Sequence, residues 1–88
     1  ASLDFAESLL KNAPDSAALY LCIGRLSLSQ QLWGKARAYF EKSIALKSTP
    51  AAYTELGQLL EELGDESGAC LAYRQGLLLV SQNKASID

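Results

Sequence analysis

The chain has 88 residues, of which 49% are hydrophobic and 20% charged, a composition typical of a soluble globular protein and not of a disordered one. Its net charge of −2, from eight Lys and Arg against ten Asp and Glu, excludes the basic surface that nucleic-acid binding requires. The sequence contains no run of 18 apolar residues, so it predicts no membrane-spanning helix. Asp4 and Glu7 interrupt the apolar segment that a signal peptide at the start would need.

The first residues, 1–13, predict a lone helix over positions 3–12, which we interpret as the second helix of a repeat whose first half is missing. Asp15 or Ser16 is a suitable N-cap for the next helix, which the apolar spacing extends to position 29. Because a chain this short buries a small share of its surface, we expect neighbouring repeats of a longer parent protein to stabilise it.

Two helix pairs are predicted after this half repeat, the first over residues 14–48 and the second over residues 49–82. The second pair opens with Thr49 as N-cap, immediately before a proline at the first helical position, where a missing N–H costs nothing. Gly64 is expected to end the first helix of this pair in a left-handed conformation, and Asp65 is expected to cap the helix that follows.

The sequence matches itself when it is shifted by 33 residues, a period that indicates a stacked-repeat architecture. The shift pairs residues of similar size and character, namely Tyr20 with Tyr53, Gly24 with Gly57, Ala36 with Ala69, and Phe40 with Tyr73. The small residues predict a close approach of paired helices, and the aromatic residues fill the space beside them. A glycine inside a helix costs about 1 kcal/mol relative to alanine, so its recurrence indicates a packing role.

This spacing resembles the tetratricopeptide repeat, in which an aromatic, an apolar residue and a glycine in the first helix precede an alanine, an aromatic and a small residue in the second. The resemblance implies an all-α fold of about five helices, in which antiparallel helix pairs stack as a right-handed solenoid. The sequence departs from the pattern in its period, which is 33 instead of 34, and at Gln31, which replaces the usual turn glycine.

Four runs, at residues 23–26, 34–40, 56–60 and 72–79, are similar to the C-terminal region of the bacterial HemY family. Members of that family are membrane-anchored tetratricopeptide proteins encoded among haem and porphyrin biosynthesis genes, and they are thought to organise the pathway. The resemblance implies a protein–protein interaction scaffold for these enzymes. It also implies a parent protein anchored in the inner membrane. This segment is expected to be soluble, and the side of the membrane on which it lies stays open, with the cytoplasmic side favoured.

The composition argues against catalysis, because the chain has no histidine and no methionine to serve as general base or haem ligand. We therefore expect no enzyme activity, no cofactor and no metal. Cys22 and Cys70 are interpreted as free, buried thiols. The acidic residues between positions 61 and 66 fit a solvated helix end better than a carboxylate site. The alternative to a scaffold is a carrier that binds a porphyrin or another small ligand between helices.

A partner-binding groove is predicted on the first helix of each pair, at positions that packing does not use. Its residues are Leu21, Arg25 and Leu28 in the first pair, and Thr54, Glu55, Gln58, Glu61 and Glu62 in the second. We expect a protein or peptide partner of basic or mixed charge there, because the second pair is acidic. The same acidity disfavours a clamp for a C-terminal carboxylate.

The end of the last helix is unusually apolar, with four consecutive aliphatic residues at positions 77–80. A single neighbouring helix cannot cover such a run, and solenoids normally end in a polar capping helix. We expect the run to dock on another subunit, on the rest of the parent protein or on a second copy, which is self-association through the C-terminal helix. Residues 83–88 are predicted to form a disordered tail.

Overall fold

The computed structural model describes the backbone of residues 3–87 and the side chains of residues 3–81. The elements of this described part are α1 (Leu3–Ser8), a 3₁₀ turn (Leu9–Lys11), α2 (Ala17–Ser29), α3 (Trp33–Leu46), α4 (Pro50–Glu62) and α5 (Glu66–Ile87). The all-α class and the five helices predicted from the sequence are confirmed. None of the helices in this part of the chain is both long and apolar enough to cross a bilayer.

The chain divides into two compact units, Ala1–Lys47 and Ser48–Asp88. In the first unit α2 packs against α1 and α3, and in the second unit α4 packs against α5. Each unit therefore contains one pair of long helices joined by a short turn. The repeat boundaries and the stacking of the pairs into a right-handed solenoid stay predictions.

Side-chain caps begin three of the helices where the sequence predicts them. Ser16 and Thr49 each accept a hydrogen bond from a backbone N–H three residues later, at 3.1 and 3.2 Å. Asp65 does the same for α5 at 2.9 Å. Because the first N–H groups of a helix have no partner within it, such caps fix where each helix starts.

The two long helix pairs turn through the same backbone conformation. Gly64 follows α4 with φ of 84°, as predicted, and Gln31 follows α2 with φ of 61°. The two residues are 33 positions apart. A left-handed conformation costs a residue with a Cβ roughly 1–2 kcal/mol, so Gln31 carries a penalty that Gly64 avoids. The tertiary packing of the first pair is therefore strong enough to impose the turn on a glutamine.

A glycine of the first helix receives an aromatic ring of the second helix in both units. A Cβ built on Gly24 would lie 2.5 Å from Cε1 of Phe40, and one built on Gly57 would lie 2.6 Å from Cε1 of Tyr73. These distances are far below van der Waals contact, so no other residue fits without moving the ring. The equivalent alanines, Ala36 and Ala69, are buried at 0 and 2% exposure.

Each unit has a core of buried apolar residues beside these contacts. In the first unit, Leu3 and Ala6 of α1 are buried together with Ile23 of α2, and further apolar residues pack around them, namely Leu10, Leu19, Leu26 and Tyr39. In the second unit, the buried residues Leu60, Ala69 and Ala72 are packed by Tyr53, Leu56 and Tyr73. A short helix such as α1 is not stable alone in water, so its burial against α2 stabilises it.

Two predicted helix ends differ from the structure. The helix predicted over positions 3–12 is α-helical only to Ser8, and it tightens into a 3₁₀ turn before Pro14, whose ring disfavours helical conformation in the residue before it. The predicted disordered tail over residues 83–88 is wrong as far as Ile87, where the backbone is still helical. The reason is that neither glycine nor proline interrupts the chain after Gly76. Asp88 lies outside the described residues.

We expect Gly24→Ala to lower the free energy of unfolding by about 1 kcal/mol. The added methyl overpacks the ring of Phe40, which has 0% exposure and cannot swing away. Overpacking costs about 1–3 kcal/mol and outweighs the gain of up to about 1 kcal/mol in helix propensity. Urea unfolding followed by circular dichroism measures the difference.

The matched control is Gly34→Ala on α3, where an added Cβ meets nothing within 4 Å. This exposed position gains helix propensity only, so we expect a rise of about 0.5 kcal/mol. Equal stabilisation by both substitutions would show that the ring of Phe40 does not require a glycine at position 24.

Candidate functional site

The outward face of α2 is set by the side of the helix that it buries. Ile23, Gly24 and Ser27 are buried. On the other side, Leu21 and Leu28 are half-buried and Arg25 is exposed. Because 3.6 residues make one turn, positions 21, 25 and 28 lie on one stripe of the helix. The structure thus brings the three groove residues predicted on α2 together on one face.

The two cysteines do not lie where the sequence interpretation placed them. Both thiols are free, but Cys22 and Cys70 are exposed. Each is a direct neighbour of a buried residue, Ile23 in α2 and Ala69 in α5. One residue turns a helix by about 100°, which is enough to carry a side chain from the packed side to the solvent side. The expectation of buried thiols is therefore wrong.

The outward face of α4 is formed by the residues that its packing against α5 leaves exposed. Thr54, Gln58, Glu61 and Glu62 are exposed and Glu55 is half-buried, while the opposite side of α4 is buried at Ala52, Gly57, Leu59 and Leu60. Three of the five predicted groove residues are carboxylates. This face therefore presents negative charge, whereas the face of α2 presents two leucines and one arginine.

Thr54 and Glu61, both predicted groove residues on α4, have hydrogen-bond partners within their own unit. The hydroxyl of Thr54 donates to the carbonyl of Pro50 at 2.9 Å. The hydroxyl of Tyr73 in α5 donates to the carboxylate of Glu61. This bond, with smaller contributions from desolvation and from the charge of Glu61, raises the pKa of Tyr73 to about 12. Glu61 thus joins α4 to α5 at the margin of the outward face.

The sequence contains a signal for this contact that the prediction of the groove missed. The residues 33 positions before Glu61 and Tyr73 are Leu28 and Phe40. Both members of the pair are apolar in the first unit and both are polar in the second. A joint change of this kind between repeats indicates that the two positions touch.

A second polar contact ties α1 to α3. The hydroxyl of Tyr39 donates to the carboxylate of Glu7, and Nζ of Lys35 lies 3.0 Å from Oε2 of the same group. The hydrogen bond from Tyr39, followed by that from Lys35, lowers the pKa of Glu7. Desolvation, and then the bond to Glu7, raises the pKa of Tyr39 to about 12. These groups hold the short helix in place.

Two open clefts lie on the second unit, with volumes of about 370 and 230 Å³. Their linings are Glu66, Ser67, Cys70, Leu71 and Arg74 in the larger, and Glu61, Glu66, Ala69, Cys70 and Tyr73 in the smaller. Among the residues that the structure describes, no three His, Cys, Asp or Glu side chains are placed to hold a metal ion. Asp65 of the acidic segment serves as a helix cap, in agreement with its interpretation as part of a helix end.

Comparison with known proteins supports the tetratricopeptide type of repeat. The chain is 43% identical over 49 residues, 56% of its length, to a TPR repeat-containing protein of Methanocaldococcus jannaschii. The match spans 9% of the length of that relative. No protein-family model matches the chain. The similarity agrees with the helix pairs and with the repeated contact between a glycine and an aromatic ring.

We expect Glu61→Gln to lower the pKa of Tyr73 from about 12 toward its ordinary value of 10. The neutral amide removes the negative charge that holds the phenol proton, so the phenolate forms more easily. A pH titration of ring-labelled tyrosine followed by NMR measures this shift. Glu62→Gln removes an adjacent charge without touching the bond, and a similar shift in that variant would contradict the pairing.

Proposed function

We propose that the chain is a protein-binding scaffold whose partners lie against the outward faces of α2 and α4. The observation that carries the proposal is the repeated design of these two helices. In each helix, one side packs against the paired helix at a glycine, and the opposite side carries the predicted groove residues, which are exposed or half-buried. The similarity to a TPR repeat-containing protein supports the same function.

The chemistry of the two faces indicates what each would bind. Leu21 and Leu28 offer apolar surface on either side of Arg25, an arrangement suited to an apolar side chain with a nearby acidic group. The face of α4 carries Glu55 and Glu62 with Gln58 between them, which suits a basic or mixed partner. A partner ending in a free carboxylate would meet like charge on α4.

The identity of the partners is a further part of the proposal. The resemblance of residues 23–26, 34–40, 56–60 and 72–79 to the HemY family supports enzymes of haem and porphyrin biosynthesis. By the same resemblance, the parent protein is anchored in the inner membrane and presents this segment to the cytoplasm. Binding these enzymes would raise their local concentration without any chemistry in the scaffold itself.

Replacing Leu21, Arg25, Gln58 and Glu62 together by alanine tests the proposed faces. The immobilised wild-type chain is expected to retain a reproducible set of proteins from a lysate of the source cells, and haem-synthesis enzymes among them. We expect the fourfold variant to lose most of this set, because truncation of a few central residues removes most of the energy of an interface. Mass spectrometry quantifies the retained proteins.

A variant with alanine at the exposed positions Asp4, Lys11, Leu46 and Gln75 is the matched control, since it changes the same number and kinds of surface side chains away from both faces. Equal retention by the fourfold variant and by this control would contradict the assignment of the faces. Titration with protoporphyrin IX distinguishes a protein-binding scaffold from a porphyrin carrier. A saturable shift of its Soret band at one porphyrin per chain would favour a carrier, and we expect none.

A further inference from the structure

The side of α5 that faces away from α4 is exposed along its whole described length. Ala69, Ala72 and Gly76 are buried on the opposite side. We define the outer face of α5 by its exposed residues, which are Glu66, Ser67, Cys70, Leu71, Arg74, Leu77 and Leu78. Its three leucines are 56, 65 and 47% exposed. Leucines this exposed on one face, rimmed by polar groups, are typical of a protein interface.

The charges on this face are placed symmetrically about one residue. Glu66 lies four residues before Cys70, and Arg74 lies four residues after it. At 3.6 residues per turn and 1.5 Å per residue, each is about 6 Å from Cys70 along the axis and about 40° to one side of it. In an antiparallel pair of such helices whose two-fold axis lies level with Cys70, Glu66 of one copy is therefore at the same height as Arg74 of the other, and the two side chains reach toward each other across the line that joins the helices.

We infer that the outer face of α5 binds the same face of a second copy of the chain, with the helices antiparallel and the two-fold axis at Cys70. Glu66 of each copy then meets Arg74 of the other, so two ion pairs form. Leu77 lies about 20° from Cys70 around the helix, so it faces the partner and loses its contact with water. An interface of this kind is self-complementary, as a two-fold dimer requires.

The charge pattern also selects the direction of the pairing. A parallel arrangement in register places Glu66 against Glu66 and Arg74 against Arg74, and both contacts are repulsive. The antiparallel arrangement converts both into attractions. Packed helices lie about 8–10 Å apart, and Cα atoms lie about 2.3 Å from each axis. Two facing Cys70 residues would thus have their Cα atoms close enough for a disulfide to form under oxidation.

Charge reversal tests the pairing. Because the two-fold axis uses each residue twice, Arg74→Glu turns both ion pairs into repulsions, and we expect the dimer dissociation constant to rise roughly tenfold or more. Glu66→Arg combined with Arg74→Glu restores two attractions with exchanged signs, and dimerisation is expected to return. Sedimentation velocity over a concentration series measures the constants, with thermal unfolding as the check that each variant is folded.

Oxidative cross-linking tests where the axis lies. The Cys22→Ser chain keeps only Cys70, and we expect mild oxidation to convert most of it to a covalent dimer. The Cys70→Ser chain keeps the exposed Cys22 on α2 and is expected to remain largely uncrosslinked, which controls for random collision.

Three results would overturn the inference. They are a wild-type chain that stays monomeric at its highest soluble concentration, a dimer whose affinity Arg74→Glu leaves unchanged, and equal cross-linking through Cys22 and Cys70. The first of these would assign the leucines of α5 to a different protein. None of these outcomes depends on whether partners bind to α2 and α4.

Discussion

The ring of Phe40 packs directly over Gly24, and the geometry of the first helix pair follows from that contact. A ring can lie against a helix backbone only where no Cβ stands in its way, and the two positions are therefore matched. The ring has 0% exposure and fixes the rotation of both helices about their axes. Once the rotation is fixed, the residues of α2 that face solvent are fixed too. Arg25 is exposed because it lies roughly opposite the side of α2 that Ile23, Gly24 and Ser27 bury. Leu21 lies one turn before Arg25 on the same stripe.

The second pair repeats this contact with a tyrosine ring in place of the phenylalanine ring. Tyr73 lies over Gly57 as Phe40 lies over Gly24, but its hydroxyl reaches the surface and binds Glu61. A similar exchange occurs at the other end of the pair. The hydroxyl of Ser43 donates to the carbonyl of Ala17 at 2.8 Å, whereas its counterpart 33 residues later is a glycine. The backbone arrangement is thus kept while the polar contacts move between repeats.

Most of the correct predictions from the sequence, such as the helix starts and the turn at Gly64, rest on local signals. Caps such as Ser16 and Thr49 act within one turn of the chain, and a glycine at position 64 records a backbone conformation, so each can be read without knowledge of the fold. The exposure of Cys22 and Cys70 could not be predicted from local signals, because it depends on how much of each helix surface the neighbouring helix covers. The polar contact between Tyr73 and Glu61 lies between these cases. It joins two helices, yet the repeat exposes it, since both positions change together from the apolar pair Leu28 and Phe40.

The packing of the second pair also separates two kinds of surface. Since α4 and α5 bury their facing sides against each other, the acidic face of α4 and the outer face of α5 lie on different sides of the pair, and they meet only at the cleft lined by Glu61, Glu66 and Cys70. A second copy bound to α5 would then leave the part of the α4 face away from this cleft, with Thr54 and Gln58, accessible to a partner. Such a dimer presents every partner-binding face twice. For a partner with two matching sites, the second binding event becomes intramolecular, and its effective concentration reaches the millimolar range when the spacing fits. Weak individual faces on a short chain would in that way give useful affinity.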